Sequence, residues 1–175
     1  MNSKNKGVKN LKIQEVAEGT LKRVIAVRLQ PGDDVLLSLE QLCKERNLQN
    51  GVILSAIGSL QGARFFNPVE LPDKKAGYGY SEPITLTGPI ELTNATGLIC
   101  HDANGEILLH VHISLSDRYG NGHGGHLIEG NKVLLTVDMV LGELDGIDMG
   151  RRYDEELEVP LFAPKQMTEK ENRKV

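Results

Sequence analysis

Three of the five histidines in this 175-residue chain are spaced for metal chemistry. His110 and His112 stand one residue apart in the apolar run Ile107-Leu108-Leu109-His110-Val111-His112-Ile113, and Gly124-Gly125-His126-Leu127 follows. An extended strand sends alternate side chains to one face, so the imidazoles of the run project together from Cα atoms roughly 6.5 to 7 Å apart. Two rings at that separation can share one ion. Three neutral imidazoles with a fourth position left to water form a common zinc arrangement, at Zn–N distances of about 2.0 to 2.1 Å. Nickel, iron and copper also accept imidazole, so the set His110, His112 and His126 points to a divalent ion, zinc first, without fixing its identity.

Whether His126 joins the pair is a question of register. If residues 106–116 pair antiparallel with a strand that begins near His123, opposed residues have a constant number sum. An even sum turns His126 to the face of His110 and His112, and an odd sum turns it away. Gly124-Gly125 can bend the backbone to present the side chain, or host a bulge that changes the register, so both outcomes stand. His101 and His123 are candidates for a supporting or a surface role. Asp117 either orients a ligand ring, as outer carboxylates do, or closes an Asx-turn. Other catalytic patterns fail: Gly58-Ser59-Leu60-Gln61-Gly62 has its serine one place too early for a nucleophile elbow, and neither a Walker phosphate loop nor a dinucleotide glycine fingerprint occurs. A cupin-like barrel also uses His-x-His but wants an acidic ligand soon after, where this chain has Ser114, Leu115 and Ser116.

The histidines need strands to carry them. Residues 21–29 alternate, placing Leu21, Arg23, Ile25, Val27 and Leu29 on one face, with a β-branched content that favours a strand. Pro31-Gly32-Asp33-Asp34 supplies a turn and an N-cap; Val35, Leu36, Leu39, Leu42 and Cys43 then fall at helical spacing, up to a stop at Asn50-Gly51. The apolar run 52–57 reads as a strand buried on both faces and ended by Gly58-Ser59, with residues 62–69 as its hairpin partner. Residues 71–83 hold Pro72, Asp73, Gly77, Gly79 and two tyrosines and read as an exposed loop. Strands follow at 84–86, 90–93, 96–100, 106–116 and 133–141, with turns at Gly88-Pro89, Asp102-Ala103-Asn104-Gly105 and residues 117–122. Neighbours joined by short turns pair antiparallel. The expected fold is α+β, a twisted and mostly antiparallel sheet packed against one principal helix.

The length suits one domain with a core that needs no staple. The expected boundaries are a flexible segment 1–19, a single domain 20–162 and a charged tail 163–175. A net charge of −4 argues against nonspecific attraction to phosphate backbones. Cys43 and Cys100 are too far apart in sequence for a disulfide framework or a four-thiolate site, and read as reduced, buried residues. No apolar segment is long enough to span a bilayer, and the first residues lack the apolar stretch of a secretory signal. The expected compartment is the cytoplasm.

Four ordered blocks resemble the plants-and-prokaryotes-conserved (PPC) domain: Leu29-Gln30-Pro31-Gly32-Asp33-Asp34-Val35-Leu36, Ser55-Ala56-Ile57-Gly58-Ser59-Leu60, His110-Val111-His112-Ile113-Ser114-Leu115-Ser116-Asp117 and Gly124-Gly125-His126-Leu127. The resemblance covers roughly residues 20–145. It implies a compact domain with an antiparallel sheet, assembly as a homotrimer, and a histidine metal site of the kind found in some prokaryotic members, at His110, His112 and His126. In plants the domain follows AT-hook motifs in nuclear DNA-binding proteins, whereas prokaryotic members stand alone and are named for DNA binding by analogy. This chain has no Arg-Gly-Arg-Pro core for a narrow minor groove. Its adjacent pair Arg151-Arg152 lies beside Asp148, Asp154, Glu155 and Glu156, which repel phosphate.

The leading expectation is therefore a stand-alone prokaryotic PPC-domain protein, DNA-binding or regulatory, whose metal organises a small-ligand or partner site. The alternative is a metal-dependent enzyme that acts on a small molecule through the three histidines. A purely structural role for the site is the third reading.

Overall fold

The computed structural model describes residues 15–168. The expected N-terminal segment up to residue 14 and the tail beyond residue 168 lie outside the described residues.

One α-helix occurs among them, α1 (Val35–Glu45). Asp34 caps it, its Oδ1 accepting from the backbone N–H groups of Leu36 and Leu37 at 3.0 and 3.2 Å. Its Oδ2 accepts from the N–H of Gly130 at 2.7 Å, so the same carboxylate ties the helix to the loop that follows the third histidine. Val35, Leu39 and Cys43 are buried at four-residue intervals. The helix stops short of the expected Asn50-Gly51: Asn47 takes a positive φ of 52°, and Gly51 already opens the next strand.

Six strands form the main sheet: β1 (Thr20–Leu29), β2 (Gly51–Phe66), β5 (Ile84–His101), β6 (Ile107–Asp117), β7 (Gly122–Leu127) and β8 (Val133–Asp145). Their order is β1-β8-β2-β5-β6-β7, antiparallel throughout. The end of β2 also pairs with β7, Phe65 opposite Leu127 and Phe66 opposite His126. Strands β2, β5, β6 and β7 thus close on themselves around Leu60, Phe65, Ile90, Leu92, Val111, Ile113, Leu115 and Leu127, all buried, and the apolar face of α1 joins the same core. The fold is the expected α+β arrangement.

Two strands run straight through positions expected to be turns. Gly58-Ser59 lies inside β2, where Gly58 faces Val137 of β8 so closely that a Cβ would stand 2.2 Å from the carbonyl oxygen of Thr136. Residues 62–66 continue β2 rather than returning as a hairpin partner. Gly88-Pro89 lies inside the 18-residue β5, at a bulge where the pairing steps from Leu60–Ile90 to Gly62–Thr87. The ladder is interrupted there, so a proline without an N–H is accommodated. Leu21 also departs from the expected alternation: a register shift between Leu21 and Arg23 leaves it 51% exposed, while Ile25, Val27 and Leu29 face the core.

Short strands flank the sheet. β3 (Pro68–Glu70) pairs with β4 (Tyr78–Tyr80), so part of the expected loop is a ribbon. β9 (Ile147–Asp148) pairs with β12 (Lys165–Gln166), and β10 (Arg151–Asp154) pairs with β11 (Val159–Phe162). A parallel bridge between His101 and Gly150 lays this segment beside the end of β5.

Candidate metal centre

His110 and His112 stay on the outer face of β6 while Val111, Ile113 and Leu115 turn into the core. Across the ladder His112 faces His126, Ser114 faces Gly124 and Ser116 faces Gly122, with no register shift. The sum is even, and His126 turns toward the pair. The ring centroids of His110 and His112 are 5.1 Å apart, and that of His126 is 5.3 Å from each. One ring nitrogen from each of the three lies within 4.8 Å of the others, and the Nε2 atoms of His110 and His112 are 3.1 Å apart. Ligand nitrogens about 3.3 Å from one another surround a tetrahedral zinc with bonds of about 2.0 to 2.1 Å. The group could hold a metal ion, and its donor set is all imidazole.

The glycines of this region give space rather than bend. Neither Gly124 nor Gly125 takes a positive φ. A Cβ on Gly124 would stand 2.5 Å from the carbonyl oxygen of Ile113, and one on Gly125 would stand 2.4 Å from that of Phe66. β7 is thereby wedged between β6 and the end of β2. On the other side of β6, a Cβ on Gly97 would meet the carbonyl oxygen of His110 at 2.4 Å. Close approach on both flanks fixes the strand that carries the two first histidines.

The surroundings of His110 and His126 favour the neutral form that ligates. Burial, followed by the charges of His110, His112 and Arg151, pushes His126 down to about 4. His110 is lowered by burial first, then by Arg151 and His112. The hydroxyl of Tyr80, on β4, lies 3.5 Å from Nδ1 of His126, the outer limit of a hydrogen bond. Its ring stacks on Phe66 at 5.7 Å.

The remaining candidates lie elsewhere. His101 has Nδ1 2.9 Å from the carbonyl oxygen of Asp102 and Nε2 2.6 Å from Oδ1 of Asp148, whose other oxygen accepts from Arg152 at 3.0 Å. Asp117 closes an Asx-turn: it accepts from the N–H groups of Tyr119 and Asn121 and from the Asn121 amide, each at 2.9 Å. These bonds, that of the Asn121 side chain first, hold its carboxyl well below the usual carboxylate range. The imidazole beside it, at 3.3 Å, belongs to His123 and not to any of the three clustered rings. Both thiols are buried, which raises Cys43 to about 12 and Cys100 to about 11 and leaves them unreactive.

Sequence reasoning missed Tyr80 and Arg151. Residues 71–83 read as a loop in the sequence, and no periodicity marks the three-residue strand that carries Tyr80. The sequence presents Arg151 and Arg152 as one pair, yet adjacent residues on a strand face opposite ways. Arg152 meets Asp148, whereas Nη2 of Arg151 donates to the carbonyl oxygen of Pro160 at 2.7 Å and its charge falls on His110 and His126.

Comparison with known proteins places this chain in a family. Residues 16–145 match the model of the Plants and Prokaryotes Conserved (PCC) domain. The metal-containing protein AF0104 from Archaeoglobus fulgidus shares the fold, with 24% identity, a TM-score of 0.72 and coverage of 85% of this chain and 98% of that one. A plant- and prokaryote-conserved protein from Pyrococcus horikoshii is 26% identical, with a TM-score of 0.71 over 86% of this chain and 97% of its own. A protein from Ralstonia eutropha JMP134, named as a DNA-binding candidate, is 25% identical, with a TM-score of 0.64 over 79% and 89% of the two chains. In sequence, a protein of Synechococcus sp. (strain JA-3-3Ab) named bifunctional protein GlmU is 33% identical over 130 residues, 74% of this chain. The chain spans about a fifth of that relative's length, 18%. With three quarters of its residues matching the family model, the chain belongs to the Plants and Prokaryotes Conserved domain family.

Proposed function

We propose that this chain is a metal-dependent regulatory protein in which His110, His112 and His126 together hold one divalent ion, zinc first. The observation that carries the reading is the convergence of three imidazoles, one nitrogen of each within 4.8 Å of the others. The metal content named for AF0104 agrees with it. Three protein ligands leave a zinc ion one position for an exchangeable ligand, and a bound ion would supply Lewis acidity there. The chain's own contribution is to hold three rings together on adjacent strands and to favour the neutral form of His110 and His126.

The working form in this reading is a homotrimer in the cytoplasm. Leu21, Val24, Leu54 and Ile57 are each more than half exposed on β1 and β2, and a Cβ on Gly142 of β8 between them would meet both Leu21 and Leu54. An exposed apolar patch of this kind marks an interaction surface. No helix among the described residues is long and apolar enough to cross a membrane. Leu54→Asp should dissociate the assembly in light-scattering measurements, and an unchanged mass would count against this face.

DNA association is the second reading, favoured by the name of the Ralstonia eutropha relative. Retention on DNA should then fall steeply as salt rises, and absence of retention at low salt ends it. For the metal, titration of chelator-treated protein with zinc against a chromophoric competitor should give one ion per chain. His110→Ala should lose it. Equal uptake by the two proteins would overturn the assignment.

A further inference from the structure

Asp117 and His123 form a pair that the three-histidine group does not use. The Asp117 carboxylate accepts from the N–H groups of Tyr119 and Asn121 and from the Asn121 amide, each at 2.9 Å, and from Nε2 of His123 at 3.3 Å. An ionised carboxylate only accepts, so in the neutral ring the proton sits on Nε2 and Nδ1 carries a bare lone pair. Nδ1 meets no hydrogen-bond partner among the described residues. The side chain of His123 is 30% exposed, so the ring is held at the edge of the interior.

That ring lines a cavity. β7 pairs with β2 only through Leu127 and His126, and from Gly122 to Gly124 its ladder is with β6 alone. A cleft of about 800 Å³ adjoins this stretch, within the size range of small-molecule sites. Phe65, Ile84 and Leu115 give it an apolar lining, and Ser114, Ser116 and His123 supply polar groups. On the ladder Ser114 and Gly124 stand two residues beyond His112 and His126, on the same face. The cleft therefore borders the three-histidine group without including any of its rings.

The oriented imidazole selects the head group of a ligand. A bare nitrogen accepts, so the head must donate, which an ether or a carboxylate does not do. The Asp117 charge behind the ring repels an anion. A cation would be buried against apolar walls beside a carboxylate whose acceptor sites are already engaged, and an unpaired buried charge is costly. We propose that this cleft binds a small uncharged molecule with an apolar body and a hydroxyl, which donates to Nδ1 of His123 while Asp117 holds the ring. This site does not depend on a bound metal.

The test uses full-length, chelator-treated, isotope-labelled protein, titrated separately with phenol and with anisole, its methyl ether, and followed through backbone amide NMR shifts. Phenol should move the amides of Gly122, His123 and Gly124 with saturation, and bind roughly tenfold or more tighter than anisole. His123→Leu should abolish that preference, and His110→Ala, outside the cleft, should keep it. Absence of a saturable shift with phenol, or equal affinities for phenol and anisole in the wild type, would overturn the proposal without need of any variant. A preference that survives His123→Leu, or one lost in His110→Ala, would overturn it as well, by placing the hydroxyl elsewhere. None of these failures bears on zinc uptake by the three histidines, which is measured separately.

Discussion

Lowering the pH should destabilise the metal-free protein in a window set by the clustered histidines. His126 falls from an ordinary 6.5 to about 4 on folding, so between those values the unfolded chain binds a proton that the folded chain refuses. Stability is therefore full above the unfolded value and is lost as the pH falls toward the folded one. Converted whole, the drop is worth about 3.4 kcal/mol at 1.36 kcal/mol per pH unit. The residue is partly exposed, and solvent screening reduces this to about 1 to 2 kcal/mol. His110 acts with the same sign. Asp102, Asp117 and Asp138 are all held below 3.8, so their losses fall mainly below about pH 5 and meet only the acid end of this window. Urea unfolding of chelator-treated protein at fixed protomer concentration, from about pH 7 to about pH 4.5, should show the decline. His126→Asn should flatten it by about 1 kcal/mol or more. Superimposable pH profiles for wild type and variant would refute the reasoning.

Zinc at about a hundred times its dissociation constant should raise the stability by about 2.7 kcal/mol near neutral pH, and that gain should fade on acidification because protons compete for the ligands; a pH-independent gain would place the metal elsewhere. Gly125→Ala should cost about 1 to 3 kcal/mol in urea unfolding and weaken zinc binding together with it, since a Cβ there strikes Phe66 and Phe65. Asn131→Ala should cost about 3 kcal/mol: the fully buried amide accepts from the N–H of Arg64 and donates to the carbonyl oxygens of Arg64 and Ile128. Its loss strands those three backbone groups, and a melting temperature unmoved by the change would contradict this.

Local chemistry made parts of this fold readable in the sequence. Asp34 is an N-cap by its side-chain chemistry, and the apolar stripe from Val35 to Cys43 is helical by its spacing; both depend on neighbours a turn away. The pair His110 and His112 shares a face because a strand has a period of two. His126 could be named but not placed, since the parity of the β6–β7 register is a tertiary quantity. Glycine misled twice for one reason. Gly58 and Gly88 looked like turn residues, yet each lies within a strand where another backbone crosses too close for a Cβ. Gly124 and Gly125, read as a hinge, serve the same end. Tyr80 reaches the cluster through a three-residue ribbon, a feature that leaves no periodic trace.

Anomalous diffraction from zinc-loaded crystals, collected on both sides of the zinc absorption edge, tests the central claim most directly. One peak per chain is expected within about 2.0 to 2.1 Å of a nitrogen of each of His110, His112 and His126. A peak bound by other residues, or no peak among these three rings in protein that carries stoichiometric zinc, would contradict it.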